Sequence, residues 1–105
     1  MYTILQGESL LIPATVVGDK NAITGIECEL KASERGEIPP SSAAVVATLS
    51  VEDYTGSGII NGYLFSLINT TALTPGIYYV NYSYLVGTVV AKGNPKKVIV
   101  KAGVI

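Results

Sequence analysis

The feature that most constrains the fold is a strict alternation of apolar and polar residues. In Ile26–Ala32 every second residue is apolar and the residues between them are charged, and Lys97–Lys101 repeats the pattern around two valines. A period of two is typical of a β-strand with one face buried and the other in solvent, and no window of about 11 residues keeps a helical period. The sequence therefore predicts an all-β protein, with inward positions Ile26, Cys28, Leu30, Ala32, Val98 and Val100.

Other runs rich in β-branched and aromatic residues are separated by turn signals. They are Leu10–Ala14, Ala43–Val51, Ile59–Leu67, Ile77–Val86 and Val89–Lys92. Glycine, proline and asparagine are concentrated between them, where these residues favour turns. About seven short strands at near-regular spacing predict a β-sandwich or a small barrel. A chain of 105 residues has the size of one domain, so a single domain is predicted over residues 1–105.

The composition excludes several classes of function. Histidine is absent and Cys28 is the one cysteine, which removes the commonest metal ligand and any cysteine-cluster zinc site. A formal net charge of −1 gives no electrostatic case for nucleic-acid binding. No apolar run approaches the ~18 residues of a membrane helix, and the first residues lack the regions of a signal peptide. We expect a non-enzymatic protein without metal or cofactor, made in a cytoplasm.

Two acidic pairs and the cysteine are the remaining candidates for chemistry. Glu27 and Glu29 share one strand face, and carboxylate pairs can hydrolyse glycosides, but a solvated face opposite the core accounts for them more simply. Glu52 and Asp53 fall far short of the 6–8 oxygens that calcium needs. Cys28 lies on an apolar face with no histidine to activate it, so we expect an inert, buried thiol.

Charge is distributed unevenly along the chain. All eight acidic residues lie at or before Asp53, and Tyr54–Ala91 contains no charged residue. Interface cores are depleted in charge and enriched in tyrosine, so part of this surface is predicted to be covered, although Thr, Ser, Asn and Tyr could also keep it hydrated. Alternation directs Tyr78, Val80, Tyr82 and Tyr84 to the core and leaves Tyr79, Asn81, Ser83 and Leu85 as the predicted partner-binding face.

Further motifs resemble a known family. Leu73-Thr-Pro-Gly-Ile-Tyr78 is similar to the tyrosine corner of Ig-like sandwiches, in which a tyrosine hydroxyl at the start of strand F bonds to nearby backbone. The order of motifs resembles the small Ig-like modules of tailed-bacteriophage virion proteins, including the N-terminal modules of baseplate proteins. The matching pieces are Gln6-Gly-Glu-Ser9, Leu10–Ala14, Ile23-Thr-Gly25, Thr70–Tyr78, Gly87 and Val98–Val100. Two departures are a longer, more polar loop at Ser33–Ser42 and the missing aspartates after the corner tyrosine.

The resemblance implies an Ig-like antiparallel β-sandwich of about seven strands without catalysis. It implies a structural accessory protein that binds other phage subunits, as head decoration or at the neck, tail or baseplate. Its location would be the virion, and the host cytoplasm during assembly; self-association is compatible with this role.

The same resemblance makes Leu73, Pro75, Gly76 and Tyr78 the tyrosine corner, with Gly76 expected at positive φ in a Pro-Gly turn. The alternative function is a small carbohydrate-binding module that stacks exposed tyrosines on sugars. Such binders usually carry tryptophan, which this sequence lacks.

Overall fold

The computed structural model describes residues 2–15, 23–53, 62–68 and 70–103. Their strands are β1 (Tyr2–Leu5), β2 (Leu10–Thr15), β3 (Ile23–Ser33), β4 (Val45–Thr48), β5 (Ser50–Asp53), β6 (Gly62–Leu67), β7 (Gly76–Val86), β8 (Val89–Lys92) and β9 (Lys96–Lys101). A short 3-10 helix, Thr70–Ala72, precedes β7. No α-helix occurs in these four segments, so the all-β prediction is confirmed.

The strands form two sheets. The larger has the order β1-β9-β7-β3-β4, and β8 pairs with the second half of β7; the smaller has the order β2-β6-β5. The β1–β9 pairing is parallel, whereas the other pairings in the described residues are antiparallel. Because β7 lies between β3 on one side and β8 and β9 on the other, it forms the centre of the larger sheet.

The core lies between the two sheets. It is built from alternate residues of most strands, and its fully buried members include Ile12 and Phe65 from the smaller sheet and Leu30, Val80 and Val98 from the larger. Burying each of these side chains contributes roughly 1.5–3 kcal/mol. The strand spacing predicted a β-sandwich or a small barrel, and the two packed sheets agree with the sandwich.

Alternation also predicted the faces of β7 correctly. Tyr78, Val80 and Tyr84 are buried in the core cluster, and the half-buried Tyr82 packs against it. The Tyr82 ring contacts Phe65 with a centroid separation of 5.0 Å and a tilt of 54°. Tyr79, Asn81, Ser83 and Leu85 therefore point to the outer face of the larger sheet.

Three strand predictions need correction. Ala43–Val51 was expected as one strand, but its residues divide between β4 and β5 in different sheets. The chain crosses at Leu49, whose side chain is 3% exposed and whose N–H donates to the carbonyl oxygen of Cys28 at 3.0 Å. Ala32 is exposed because it lies beyond Lys31, the last residue of β3 that pairs with β4.

The third correction concerns the beginnings of strands. β3 begins at Ile23 rather than Ile26, with a bulge between Thr24 and Glu27 and Gly25 at φ +61°. A positive φ at this bulge favours glycine, which has no Cβ to clash. β6 was expected from Ile59, but residues 59–61 lie outside the described part of the chain.

Candidate partner-binding surface

The predicted contact residues lie in one row on the outer face of β7. Asn81, Ser83 and Leu85 are half-buried. Their neighbours on β3 are Glu29 for Asn81 and Glu27 for Ser83, and Ser83 and Leu85 also pair with residues of β8. β7 therefore supplies a polar strip flanked by two other strands, and the role of this strip in binding a partner stays a prediction.

Tyr79 lies on this face but is not open to a partner. Its side chain is only 8% exposed, and its hydroxyl donates to the carbonyl oxygen of Gly36 at 2.6 Å. The ammonium group of Lys31, the neighbour of Tyr79 on β3, donates to the carbonyl oxygen of Ser41 at 2.9 Å. The β3–β4 loop, residues 34–44, is thus tied down over one end of the outer face.

This contact corrects the prediction that Tyr79 belongs to an exposed partner-binding face, where substitution by glutamate would be tolerated. A carboxylate there would instead be buried beneath the loop, which costs free energy unless it is paired. Part of the covering expected for this surface is therefore supplied by the chain's own loop.

The outer face also contains charged residues, although β7, its central strand, comes from the charge-free stretch Tyr54–Ala91. Glu27 and Glu29 of β3 lie on one side, while Lys92 of β8 and Lys97 of β9 lie on the other, level with Ser83 and Tyr79 respectively. The expectation of a charge-free surface was wrong for this face. Its strands come from distant parts of the sequence, so charges outside Tyr54–Ala91 join it.

A groove of about 350 Å³ runs along this face. The outer strips of β3 and β7 line it together with the β3–β4 loop and the β8–β9 connection. The lining residues are Glu27, Glu29, Lys31, Pro39, Ser41, Asn81, Tyr82, Ser83, Lys92, Gly93 and Pro95. Carboxylates, ammonium groups, an amide and hydroxyls therefore lie together, a set that suits a polar segment of another molecule. Sequence reasoning missed this grouping because it could not predict which strands pair.

The glutamate pair and the cysteine considered for chemistry lie on opposite faces of β3. Glu27 and Glu29 are on the outer face, as the solvated-face interpretation predicts, whereas Cys28 is 1% exposed in the core. Burial, and to a smaller extent the nearby Glu29, raises the pKa of the Cys28 thiol to about 12. Since the thiolate is the nucleophilic form, a neutral, buried thiol is unreactive at neutral pH.

Metal and membrane sites were also considered. Within residues 2–15, 23–53, 62–68 and 70–103, no three His, Cys, Asp or Glu side chains cluster in a way that could hold a metal ion. In the same residues, no helix has the length and apolar character needed to cross a bilayer.

The corner tyrosine makes a local backbone contact. The hydroxyl of Tyr78 donates to the carbonyl oxygen of Thr74 at 2.5 Å, and burial raises the pKa of this hydroxyl. Leu73 is buried, whereas Pro75 and Gly76 are exposed. Gly76 is not among the glycines with positive φ, so the expected left-handed turn residue is wrong; a Cβ there would meet only the Thr74 carbonyl oxygen, at 4.0 Å.

The N-terminal motif and the motif before β7 contact each other directly. The side-chain amide of Gln6 donates to the carbonyl oxygen of Leu73 at 2.6 Å. The N–H of Gly7 donates to the hydroxyl of Thr70 at 3.0 Å, and that hydroxyl donates to the carbonyl oxygen of Glu8. Thr70 has no exposed surface. These residues therefore join the β1–β2 turn to the 3-10 helix and make up a structural cluster, called here the turn cluster.

The outer strips provide no open aromatic platform. Of the tyrosines in the described residues, Tyr2 and Tyr82 are half-buried and the others are buried; Tyr54 lies outside those residues. Stacking on a sugar needs an accessible ring face. The arrangement gives the saccharide alternative no support.

Comparison of the sequence with known protein families found no match, and comparison with curated proteins found no similar sequence.

Proposed function

We propose that the chain is an Ig-like β-sandwich that acts as a non-enzymatic structural accessory protein of a bacteriophage particle. It binds other subunits of the particle, as head decoration or at the neck, tail or baseplate, and occurs in the virion and in the host cytoplasm during assembly. The observation that carries the proposal is the turn cluster. It connects the two most distinctive pieces of the resemblance, Gln6–Ser9 and Thr70–Tyr78, through hydrogen bonds.

The strand order supports the Ig-like type. An Ig sandwich places strands B, E and D in one sheet and C, F and G in the other, with C′ added beyond C in variable-type domains. β2-β6-β5 follows the first order, and β9-β7-β3-β4 follows G, F, C and C′. Tyr78 then lies near the start of strand F, where a tyrosine corner is expected, and its hydroxyl bonds to Thr74 four residues upstream.

The surface supports a binding role over a catalytic one. The one cysteine is buried and holds its proton, and the paired glutamates lie on an open strand face. The groove offers mixed charges and hydrogen-bonding groups rather than an enclosed cavity. Subunit contacts of accessory proteins need accessible surface of this kind and no chemistry.

The first test is whether the chain is part of a particle. Particles of the phage or prophage that encodes it are purified and their proteins identified by mass spectrometry. The proposal expects the chain in stoichiometric amounts, and particles that lack it would overturn the assignment. Particles from a strain with this gene deleted should then bind the added, purified protein in a sedimentation assay.

A matched pair of variants tests the outer face of β7. Leu85→Glu alters the predicted contact strip, while Leu11→Glu makes the same change at a residue that is 55% exposed on β2 of the other sheet. We expect Leu85→Glu to lose binding to gene-deleted particles and Leu11→Glu to retain it, with thermal melting showing that both fold. Full binding of a folded Leu85→Glu variant would show that this strip faces solvent in the particle.

A further inference from the structure

Two strands of the larger sheet present nearly the same exposed sequence at opposite sides of the molecule. β4 reads Val-Val-Ala-Thr and β8 reads Val-Val-Ala-Lys, and the two have the same pattern of exposure. Val45 and Val46 are 48% and 45% exposed, and Val89 and Val90 are 66% and 60% exposed. Within the described residues, β4 pairs only with β3 and β8 only with β7. Among those residues, each strand therefore has one edge without a partner strand.

These two edges are less protected against pairing than the edges of the smaller sheet. Proteins commonly protect edge strands with proline or with charged side chains. In the smaller sheet, β2 contains Pro13 and β5 contains Glu52 and Asp53. By contrast β4 has no charged residue, and β8 has only Lys92 at its end. An exposed apolar edge of this kind is a template for strand addition.

The directions of the two strands suit each other. β8 is antiparallel to β7, β7 to β3, and β3 to β4, so β4 and β8 run in opposite directions. If a second copy lies beside the first in the same orientation, its β4 is antiparallel to the β8 of the first copy. The same face of both sheets then points outward, and the antiparallel sheet continues from one copy into the next.

The charges favour contact between unlike edges. Lys92, Lys96, Lys97 and Lys101 belong to β8 and β9, whereas on the side of β4 the acidic Glu27, Glu29 and Glu52 of β3 and β5 outnumber the one lysine there, Lys31 of β3. Pairing β8 with β8 would bring two basic sides together, and pairing β4 with β4 would bring two acidic sides together. Pairing β4 with β8 instead sets a mainly acidic side against a mainly basic one.

We propose that copies of this chain associate head to tail, with β4 of one copy paired antiparallel to β8 of the next. This inference rests on the proposed assembly role and adds a named partner, a second copy. Such heterologous contacts form closed rings or open helical arrays. β4 pairs with Glu29–Lys31 of β3, which lie opposite Tyr79–Asn81 of β7. β8 pairs with a later part of β7, Ser83–Val86. Successive copies are therefore shifted along the strands by about four residues, or ~13 Å.

Analytical ultracentrifugation of the purified protein tests the association. We expect the mean mass of the wild type to rise with concentration up to about 1 mM, a range that detects even a millimolar Kd. Val46→Lys and Val90→Lys should each remain monomeric, since a lysine inside a short edge strand opposes pairing, whereas the native Lys92 stands at the end of β8. Ile38→Lys is the matched control, because Ile38 is 58% exposed but lies in the β3–β4 loop; it should associate like the wild type. Circular dichroism shows that each variant is folded.

Mixing the two blocked variants distinguishes the head-to-tail arrangement from a symmetric dimer. Val46→Lys keeps an intact β8 and Val90→Lys keeps an intact β4, so an equimolar mixture should form 1:1 dimers that grow no further. A monomeric wild type at every concentration would overturn the inference, as would a Val46→Lys variant that dimerises alone through β8. Either result would leave the proposed function standing if the monomer still binds gene-deleted particles, while absence of the chain from particles would refute that function separately.

Discussion

Replacing Thr70 by valine tests whether the turn cluster stabilises the fold. Valine has nearly the same shape but no hydroxyl, so the core packing around this buried position is kept. Two hydrogen bonds are lost, one from the N–H of Gly7 and one to the carbonyl oxygen of Glu8. Each is worth about 1 kcal/mol net. Gly7 and Glu8 are exposed, so water can reach their freed groups and the larger penalty for buried unpaired groups does not apply.

The expected loss in the free energy of unfolding is therefore about 2 kcal/mol. Urea denaturation followed by circular dichroism measures it, and the melting temperature should fall by roughly 8 °C in a domain of this size. Thr71→Val is the matched control, because it makes the same chemical change at the next residue, which is exposed. That variant should stay within ~0.5 kcal/mol of the wild type.

Two outcomes would refute the reasoning. If Thr70→Val is as stable as the wild type, the bridge between the β1–β2 turn and the 3-10 helix does not contribute to stability. If Thr71→Val is destabilised equally, the loss reflects altered helix propensity or packing rather than the hydroxyl of Thr70. An unchanged slope of free energy against urea is also required, since a changed slope would indicate a different degree of unfolding.

Three further outcomes are expected. Tyr78→Phe should lower the free energy of unfolding by about 1 kcal/mol, while Gly76→Ala should be tolerated because no positive φ is required there; equal urea midpoints for both would contradict this. At Gly93 a Cβ would overlap the ring of Tyr82, so Gly93→Ala should cost about 1–3 kcal/mol and much less in a Tyr82→Ala background. Because burial raises the pKa of Cys28 to about 12, the unfolded thiol deprotonates first, so stability should fall as pH rises from about 9 towards 12. Urea titrations at several pH values should show a weaker pH dependence of stability in Cys28→Ala. The same change of unfolding free energy with pH in the variant and the wild type would contradict the assignment.

Local pattern was sufficient to predict the type of fold and the faces of its strands. A period of two depends only on neighbouring residues, so the inward positions of β3, β7 and β9 could be assigned apart from the exposed Ala32. The sequence also predicted a buried, unreactive Cys28, and its 1% exposure agrees. Turn residues separated most strands correctly because glycine and proline act on their own backbone.

Contacts between distant residues were decided only by the tertiary structure. Ala43–Val51 is a continuous run rich in β-branched residues with no glycine or proline in it, so nothing local indicated that the chain leaves one sheet at Leu49 and enters the other. Likewise, alternation placed Tyr79 on the outer face but could not show that Gly36, 43 residues away in sequence, lies over it.

The turn cluster and the candidate surface also depend on contacts between distant residues. Gln6 and Leu73 are 67 residues apart in sequence, yet their hydrogen bond shows that two separate motifs form one structural cluster. The charges beside β7, and the free edges of β4 and β8, follow from which strands become neighbours. Strand pairing is set by long-range packing and backbone hydrogen bonds, whereas alternation within a strand reports only which side of it is buried.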